Sequence, residues 1–186
     1  MAGDNLREIT LQELQTLALN AQGEVNKIYI HWTAGHYGQA FDDYHINIDK
    51  DGKMYTDMDS LTDYKSHTWR RNTGAIGISL MCAYGATSVN NLGDEPPTET
   101  QLDKLAEVVA VLCVDIGLPC DIYHVLTHAE AAENMDGWYA HEPYGYYHNC
   151  ERWDLLVVRA GDSPFSGGEW IRNKAKEYAL SWGSTI

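Results

Sequence analysis

Two histidines and one aspartate occupy positions from which they could bind a metal ion together. His31 ends the apolar segment 27–31, and His128 follows a second apolar segment, 122–127. Asp154 follows a long aromatic-rich segment. Two imidazoles and one carboxylate, with a fourth position open to water, form a ligand set of catalytic zinc sites. Because zinc lowers the pKa of a bound water toward about 7, these three residues predict a hydrolytic zinc site.

The two histidines require strands that place them at one edge of a sheet. Segments 27–31 and 122–127 are short, apolar and rich in β-branched residues, which is typical of strands. In open α/β sheets the chemistry lies at the carboxyl ends of the strands, where both histidines stand. Residues 44–48 and 53–57 are predicted to form a hairpin whose turn contains Gly52.

A nearly continuous apolar segment, 75–82, is predicted to be a buried central strand. Gly77 within it indicates that another part of the chain approaches the backbone closely. Helices are predicted where a capping-box pattern precedes apolar residues at a helical period. These patterns begin at Thr10, Thr98 and Ser166.

Together these elements predict an α/β fold, a single domain with a central mixed β-sheet flanked by helices. The length of 186 residues is enough for one domain with a substantial core. We expect residues 1–26 to form an N-terminal helical arm packed on the domain, and residues 27–186 to form the catalytic domain. The four cysteines lack CxxC spacing, so buried, reduced thiols are expected.

The charge of the chain excludes several classes of partner. With 27 acidic and 13 basic residues the net charge is −14, which argues against nucleic acids and against anionic membrane surfaces. The apolar runs are too short to span a bilayer. The first eight residues lack a basic region followed by an apolar core, so we expect no secretory signal. We expect a monomer made in a bacterial cytoplasm.

The order of the sequence motifs resembles a known family. The motifs are Ile30-His31-Trp32-Thr33-Ala34, Tyr44-His45, His67 and Asn72 ahead of Ile76-Gly77-Ile78-Ser79, Thr127-His128-Ala129-Glu130, and Arg152-Trp153-Asp154. As an ordered set they resemble the zinc-dependent N-acetylmuramoyl-L-alanine amidases of the type 2 class. That class is related to peptidoglycan recognition proteins and includes phage amidase endolysins. The resemblance extends over most of the chain, from about residue 27 to residue 154.

The resemblance implies a Zn²⁺ cofactor with His31, His128 and Asp154 as its ligands. The third position is either Cys or Asp in the family, and this chain has Asp154 there. Cys150 and His148 are weaker alternatives for this third ligand, because they lie close to Asp154 in the sequence.

Three further residues are implied to take part in catalysis. Tyr44 matches a catalytic tyrosine, and Arg152 stands where recycling amidases have a lysine, so its charge could stabilise an oxyanion or pair with a carboxylate. Ser79 replaces a glutamate that some bacterial members use as general base. Glu130 could take over that role, orient a ligand, or simply be an exposed residue at a helix start.

The same resemblance implies a substrate groove that contacts peptidoglycan or a muropeptide. Four residues are expected to line this groove: Trp32, His67, Trp69 and Asn72. The implied reaction is hydrolysis of the amide between the lactyl group of N-acetylmuramic acid and L-alanine of the stem peptide. Such an enzyme could be a bacteriolytic endolysin that acts on the cell wall, if phage-derived, or an enzyme of muropeptide recycling. The alternative is a non-catalytic peptidoglycan-binding module of the same fold.

Overall fold

A mixed β-sheet forms the centre of the computed structural model, which describes residues 5–148 and 151–186. Within this part of the chain the sheet has six strands. They are β1 (Arg7–Ile9), β2 (Lys27–Trp32), β3 (Ile46–Ile48), β4 (Met54–Thr56), β5 (Ala75–Leu80) and β6 (Val125–Thr127). Their spatial order is β1-β4-β3-β5-β2-β6. Strands β3, β5, β2 and β6 are parallel to one another, whereas β4 is antiparallel to β3 and β1.

Four helices accompany the sheet in the described residues. They are α1 (Leu11–Leu19), α2 (Glu99–Ile116), α3 (His128–Ala132) and α4 (Ser166–Ser181). Helix α2 packs against both α1 and α4. The predicted α/β fold, a mixed sheet flanked by helices, is therefore confirmed. No helix in the described part of the chain is long and apolar enough to cross a bilayer.

The two faces of the sheet differ because side chains alternate along each strand. One face carries mainly isoleucines, which join the main hydrophobic core together with residues of α2 and α4. The other face carries His31, Ser79 and Asn47, which are aligned across β2, β5 and β3. All three are buried, so the sequence alternation produces a polar face on which a site can be built.

Gly77 lies on this polar face and allows the close approach predicted from the sequence. A methyl group at Gly77 would come within 2.7 Å of the His67 ring. The loop that carries His67 therefore lies directly on the central strand, and an alanine at position 77 would displace it.

The capping-box patterns predict the correct start of α1 and α2 but not of α4. Thr10 and Thr98 cap α1 and α2 through their side chains. The predicted capping box at Ser166 is wrong, because Ser166 is already the first residue of α4. The preceding residue, Phe165, has a φ of 67° and makes no side-chain cap hydrogen bond. Its ring packs against two tyrosines instead, Tyr146 and Tyr147, so tertiary contacts set this helix start.

The chain before residue 27 contributes more than the predicted helix. Strand β1 pairs with β4 and extends the sheet at its edge. No sequence pattern predicts this strand, since three residues are too few for a pattern. The role of residues 1–26 as an arm distinct from a catalytic unit 27–186 stays a prediction. Three cysteines, Cys82, Cys113 and Cys120, are free and buried as expected.

A buried ion-pair cluster fastens two loops to the start of β2. The Asp136 carboxylate accepts hydrogen bonds from both terminal nitrogens of Arg71, at 2.8 and 3.0 Å, and from Lys27 Nζ at 2.9 Å. The Asp136 side chain is fully buried. Burial alone would raise the pKa of Asp136, but the hydrogen bonds from Arg71 and Lys27 lower it to about 2.

Replacing Asp136 with asparagine is expected to lower stability by about 3 kcal/mol near neutral pH, because Arg71 would be left buried without its counter-charge. The folded carboxylate has a lower pKa than the unfolded one. Its contribution is therefore complete above about pH 4 and is lost as the pH falls toward 2. Denaturant titrations at several pH values should show that the difference in the free energy of unfolding between wild type and variant decreases in that range. The matched variant Asp59→Asn, at an exposed pair with Arg7, should change little.

Candidate metal centre

The parallel pairing of β2 and β6 brings the two histidines together. Ile30 is aligned with Thr127 across these strands, so the next residues, His31 and His128, emerge side by side at the carboxyl edge. His128 opens α3, whose first turn is capped by the Thr127 side chain. Two residues that are 97 positions apart in the sequence thus become neighbours. Strand β6 begins at Val125, because residues 122–124 form a turn rather than the predicted strand.

Asp154 completes a cluster with both histidines. The two Nδ1 atoms are 3.1 Å apart, and Asp154 Oδ2 lies 3.3 Å from His31 Nδ1 and 3.6 Å from His128 Nδ1. Ligand bonds of 2.0–2.1 Å around a tetrahedral zinc imply ligand-to-ligand distances of about 3.3 Å. The three buried side chains therefore fit a zinc ion both in chemistry and in spacing.

Both histidines have a partner on the ring nitrogen that faces away from the cluster. His31 Nε2 lies 3.2 Å from the Thr68 hydroxyl, and His128 Nε2 lies 2.9 Å from Glu142 Oε2. Such partners fix the tautomer and leave the Nδ1 lone pairs directed at the metal position. No sequence pattern points to Thr68 or Glu142, since both lie in loops without periodicity.

The pKa values of the three cluster residues shift in different directions. Burial lowers the pKa of His31 to about 4, although Asp154 opposes the change. Burial also disfavours a charge on His128, but hydrogen bonds with Asp154 and Glu142 raise its pKa to about 9. Burial would raise the pKa of Asp154, and the two histidines hold it well below its usual range. A metal cation that binds here must displace the proton on His128, so its affinity is expected to rise with pH.

A groove runs past the cluster. One cavity of about 320 Å³ opens onto His128 and Asp154, and a second of about 380 Å³ continues from it. The two cavities share four lining residues, Ser66, His67, His128 and Arg152. The metal position is therefore reached from a surface large enough for a saccharide or a short peptide.

Comparison with protein families places the chain in one of them. The family model for N-acetylmuramoyl-L-alanine amidase matches residues 21–144, more than half of the chain. The chain belongs to this family. His31 and His128 lie within the matched residues, whereas Asp154 lies beyond them, so the structure supplies the evidence that it joins the cluster.

Solved structures with a similar fold include amidases and peptidoglycan recognition proteins. The amidase LysC from Clostridium intestinale URNW has 20% identity and a TM-score of 0.42, covering 57% of this chain and 72% of its own. Drosophila PGRP-LB has 19% identity and a TM-score of 0.42, with coverages of 59% and 72%. PGRP-Hd from Alvinella pompejana has 15% identity and a TM-score of 0.37, with coverages of 60% and 72%. A comparison with curated sequences found no significant match.

Two of the three candidate catalytic residues of this family member lie beside the candidate metal ligands. The Tyr44 ring is 5.1 Å from the His31 ring and lines the first cavity. Tyr44 precedes β3, which begins two residues later than predicted. Burial, and then the charges of Asp154 and Asp43, raise the pKa of Tyr44, so the phenol stays protonated at neutral pH. Arg152 lines both cavities.

Glu130 is placed differently. It is buried rather than exposed, and it lines neither cavity. Both its carboxylate oxygens accept hydrogen bonds from Arg172 of α4 at 2.8 Å, and Oε1 also accepts one from the Thr127 backbone. Glu130 therefore fastens α3 to α4. The structure gives it no access to a substrate in the groove.

Ser79, which stands where some family members have a glutamate, contacts a neutral side chain. Its hydroxyl donates to Asn47 Oδ1 at 2.8 Å, within the polar row that ends at His31. The alternative third ligand His148 is exposed and its ring stacks on His141. The other alternative, Cys150, lies outside the described residues.

The four residues expected to contact substrate divide between the two cavities. Trp32 lines the first cavity, but it is buried in the main hydrophobic core, where it packs edge-on against Trp153 at 4.8 Å. Trp69 and Asn72 line the second cavity, and Asn72 Oδ1 also accepts hydrogen bonds from the backbone of its own loop. His67 lines both cavities. Its Nε2 is buried against Gly77 of the central strand, without a hydrogen-bond partner among the described residues.

Replacing Glu142 with glutamine is expected to weaken metal binding by about 10- to 100-fold, because the neutral amide no longer holds the His128 ring with a charge-assisted hydrogen bond. The dissociation constant can be measured by competition with a chromogenic chelator. Glu95→Gln is the matched control, since Glu95 pairs with His36 at 2.6 Å outside the groove. Equal affinities for wild type and the Glu142 variant would show that Glu142 does not support the ligand.

Proposed function

We propose that this amidase hydrolyses the amide between the lactyl group of N-acetylmuramic acid and L-alanine of the peptidoglycan stem peptide, with zinc as cofactor. The observation that carries the proposal is the cluster of His31, His128 and Asp154, whose ligand atoms have the spacing of a zinc site. In a chain of the N-acetylmuramoyl-L-alanine amidase family, that cluster favours an enzyme over a non-catalytic binding module.

His31, His128 and Asp154 would hold the zinc ion beside the first cavity, which His128 and Asp154 line. When bound, zinc supplies Lewis acidity for the scissile carbonyl and activates a water molecule at neutral pH. Thr68 and Glu142 keep the two rings in the tautomer that this binding needs.

Tyr44 and Arg152 would stabilise the charge that develops on the carbonyl oxygen. The phenol of Tyr44 remains a hydrogen-bond donor because its pKa is raised. Arg152 supplies a permanent positive charge at the junction of the two cavities. Donors fixed in place before the reaction need little reorganisation as negative charge forms on the substrate.

The groove would hold the substrate on both sides of the scissile bond. His67 lines both cavities, and burial and the neighbouring His31 and His45 rings lower its pKa to about 2 and keep the ring neutral. Trp69 and Asn72, which line the second cavity, would contact the saccharide and the peptide. The net charge of −14 disfavours nucleic acid as a competing ligand.

Mass spectrometry of digested peptidoglycan tests the proposal. The protein loaded with zinc should release stem peptides that begin with a free L-alanine amine, leaving glycan without peptide. A chelator should abolish this release, and added zinc should restore it. Comparing intact sacculi with soluble muropeptides would separate a wall-lytic endolysin role from a recycling role. Zinc-loaded protein that sediments with sacculi but releases no peptide would be a binding module, and the enzyme proposal would be wrong.

A further inference from the structure

We infer that a surface beside the metal centre binds the glycan strand of the polymer through aromatic rings. This surface, called the aromatic platform, consists of Trp69, Arg70, Trp138 and Tyr139, contributed by two loops. The inference rests on the proposed function, because its ligand is the saccharide chain attached to the bond that is cut.

The rings of the platform are neighbours, and two of them are exposed while Trp69 is half-buried. Tyr139 lies edge-on to Trp69, with centroids 6.0 Å apart, and Trp138 lies 6.1 Å from Tyr139. Trp138 and Tyr139 are 55% and 50% exposed. Large apolar side chains that stay in water side by side are typical of binding surfaces.

Arg70 holds the rings in place. Its guanidinium lies 4.8 Å from the Trp69 ring centroid and 5.7 Å from that of Tyr139, and Nη1 donates to the Tyr139 hydroxyl at 2.6 Å. These contacts connect the loop of Trp69 to the loop of Tyr139. A surface ordered in advance loses less conformational entropy when a ligand binds.

Two cationic side chains pack against the Trp138 ring. Arg71 and Lys27 lie 5.4 and 5.7 Å from its ring centroid, and both form ion pairs with the buried Asp136. The cations thus support part of the indole while more than half of the side chain remains open. The ion-pair cluster described above is therefore also the base of the platform.

The platform is continuous with the substrate groove. Trp69 and Arg70 line the second cavity, which also contains His128 and Arg152. A ligand whose reacting bond lies at the metal position can therefore extend across the second cavity onto these rings.

The chemistry of the platform favours saccharide rings as the occupant. A pyranose has an apolar C–H face that packs on an aromatic ring and a polar rim of hydroxyl and acetamido groups. Trp and Tyr present the matching combination of an apolar body and a polar edge. Nucleobases also stack on such rings, but the charge of −14 disfavours a phosphate backbone. The geometry therefore assigns the platform to saccharides next to the muramoyl residue that is cleaved.

The test compares two substrates with the zinc-loaded full chain. The double variant Trp138→Ala/Tyr139→Ala is assayed on solubilised glycan polymer and on a muramoyl dipeptide with one saccharide. We expect the ratio of kcat/KM for the polymer to that for the dipeptide to fall about tenfold. The control is Tyr123→Ala/Trp182→Ala, which removes two exposed rings outside both cavities and should preserve the ratio. If the double variant does not fold, the single variant Tyr139→Ala replaces it. The single variant keeps the Trp138 ring that packs on Arg71.

An unchanged ratio in the platform variant would overturn the inference, and so would a loss of similar size on both substrates, since that would indicate a stem-peptide contact. Calorimetric titration with a tetrasaccharide of N-acetylglucosamine tests the platform without catalysis. Wild type should bind it at least tenfold more tightly than the double variant, and equal affinities would contradict the inference. A wild type that binds the tetrasaccharide but cleaves neither substrate would disprove the proposed function and leave the platform standing.

Discussion

Replacing His31 with alanine is expected to abolish both metal binding and amidase activity. The variant leaves only His128 and Asp154 at the site, and two ligands hold zinc poorly. Loss of a residue that hydrogen-bonds a metal ligand already lowers metal affinity or activity by about 10- to 100-fold. Loss of the ligand itself should therefore lower activity by at least about 100-fold. Metal content of the purified protein and peptide release from peptidoglycan are the two measurements.

The matched control for this experiment is His124→Ala. His124 pairs with Asp121 at 2.7 Å and lies just before β6, at the end of the strand opposite His128. Its loss should leave metal content and activity near those of wild type. Full zinc content together with full activity in the His31 variant would show that the cluster is not the metal centre.

Replacing Tyr44 with phenylalanine is expected to reduce kcat by about 100-fold while metal content stays unchanged. The ring that packs near His31 is kept, and only the hydroxyl that can donate to the developing oxyanion is removed. Because the interaction is proposed to form mainly in the transition state, kcat and kcat/KM should fall together. Steady-state kinetics on a muramoyl dipeptide measures both.

Tyr178→Phe serves as the control for this hydroxyl. The Tyr178 hydroxyl donates to Asp103 at 2.7 Å on the helical side of the molecule. Its removal should leave kcat unchanged. If the Tyr44 variant retained wild-type kcat, Arg152 or another donor would have to stabilise the oxyanion alone.

Sequence reasoning succeeded where the information was local. The short apolar segments of β2 and β5, the capping box at Thr98 and the close approach at Gly77 each depend on a few consecutive residues. The side-chain period of a strand and the unpaired amides of a helix start impose these patterns directly. It failed at Ser166, where ring contacts of Phe165 determine how the helix begins.

Glu130 and Glu142 show the limit most clearly. Both are acidic residues near His128 in the sequence, and Glu130 is the closer of the two. In the fold Glu130 turns to Arg172 of α4, and Glu142 pairs with His128. Which carboxylate meets the histidine depends on how α4 and the loop after α3 pack, and no local pattern encodes that choice.

The sequence by itself determined five of the six strands in the described residues, most of the helices, the positions of the two histidines at strand ends, and the ordered motifs of the amidase family. The tertiary structure decided which residues surround the metal position and which rings form the aromatic platform. The physical reason is that secondary structure follows from interactions between residues a few positions apart. The contacts of Asp154, Glu142 and Arg70 instead join loops whose relative placement is set only when the whole core packs.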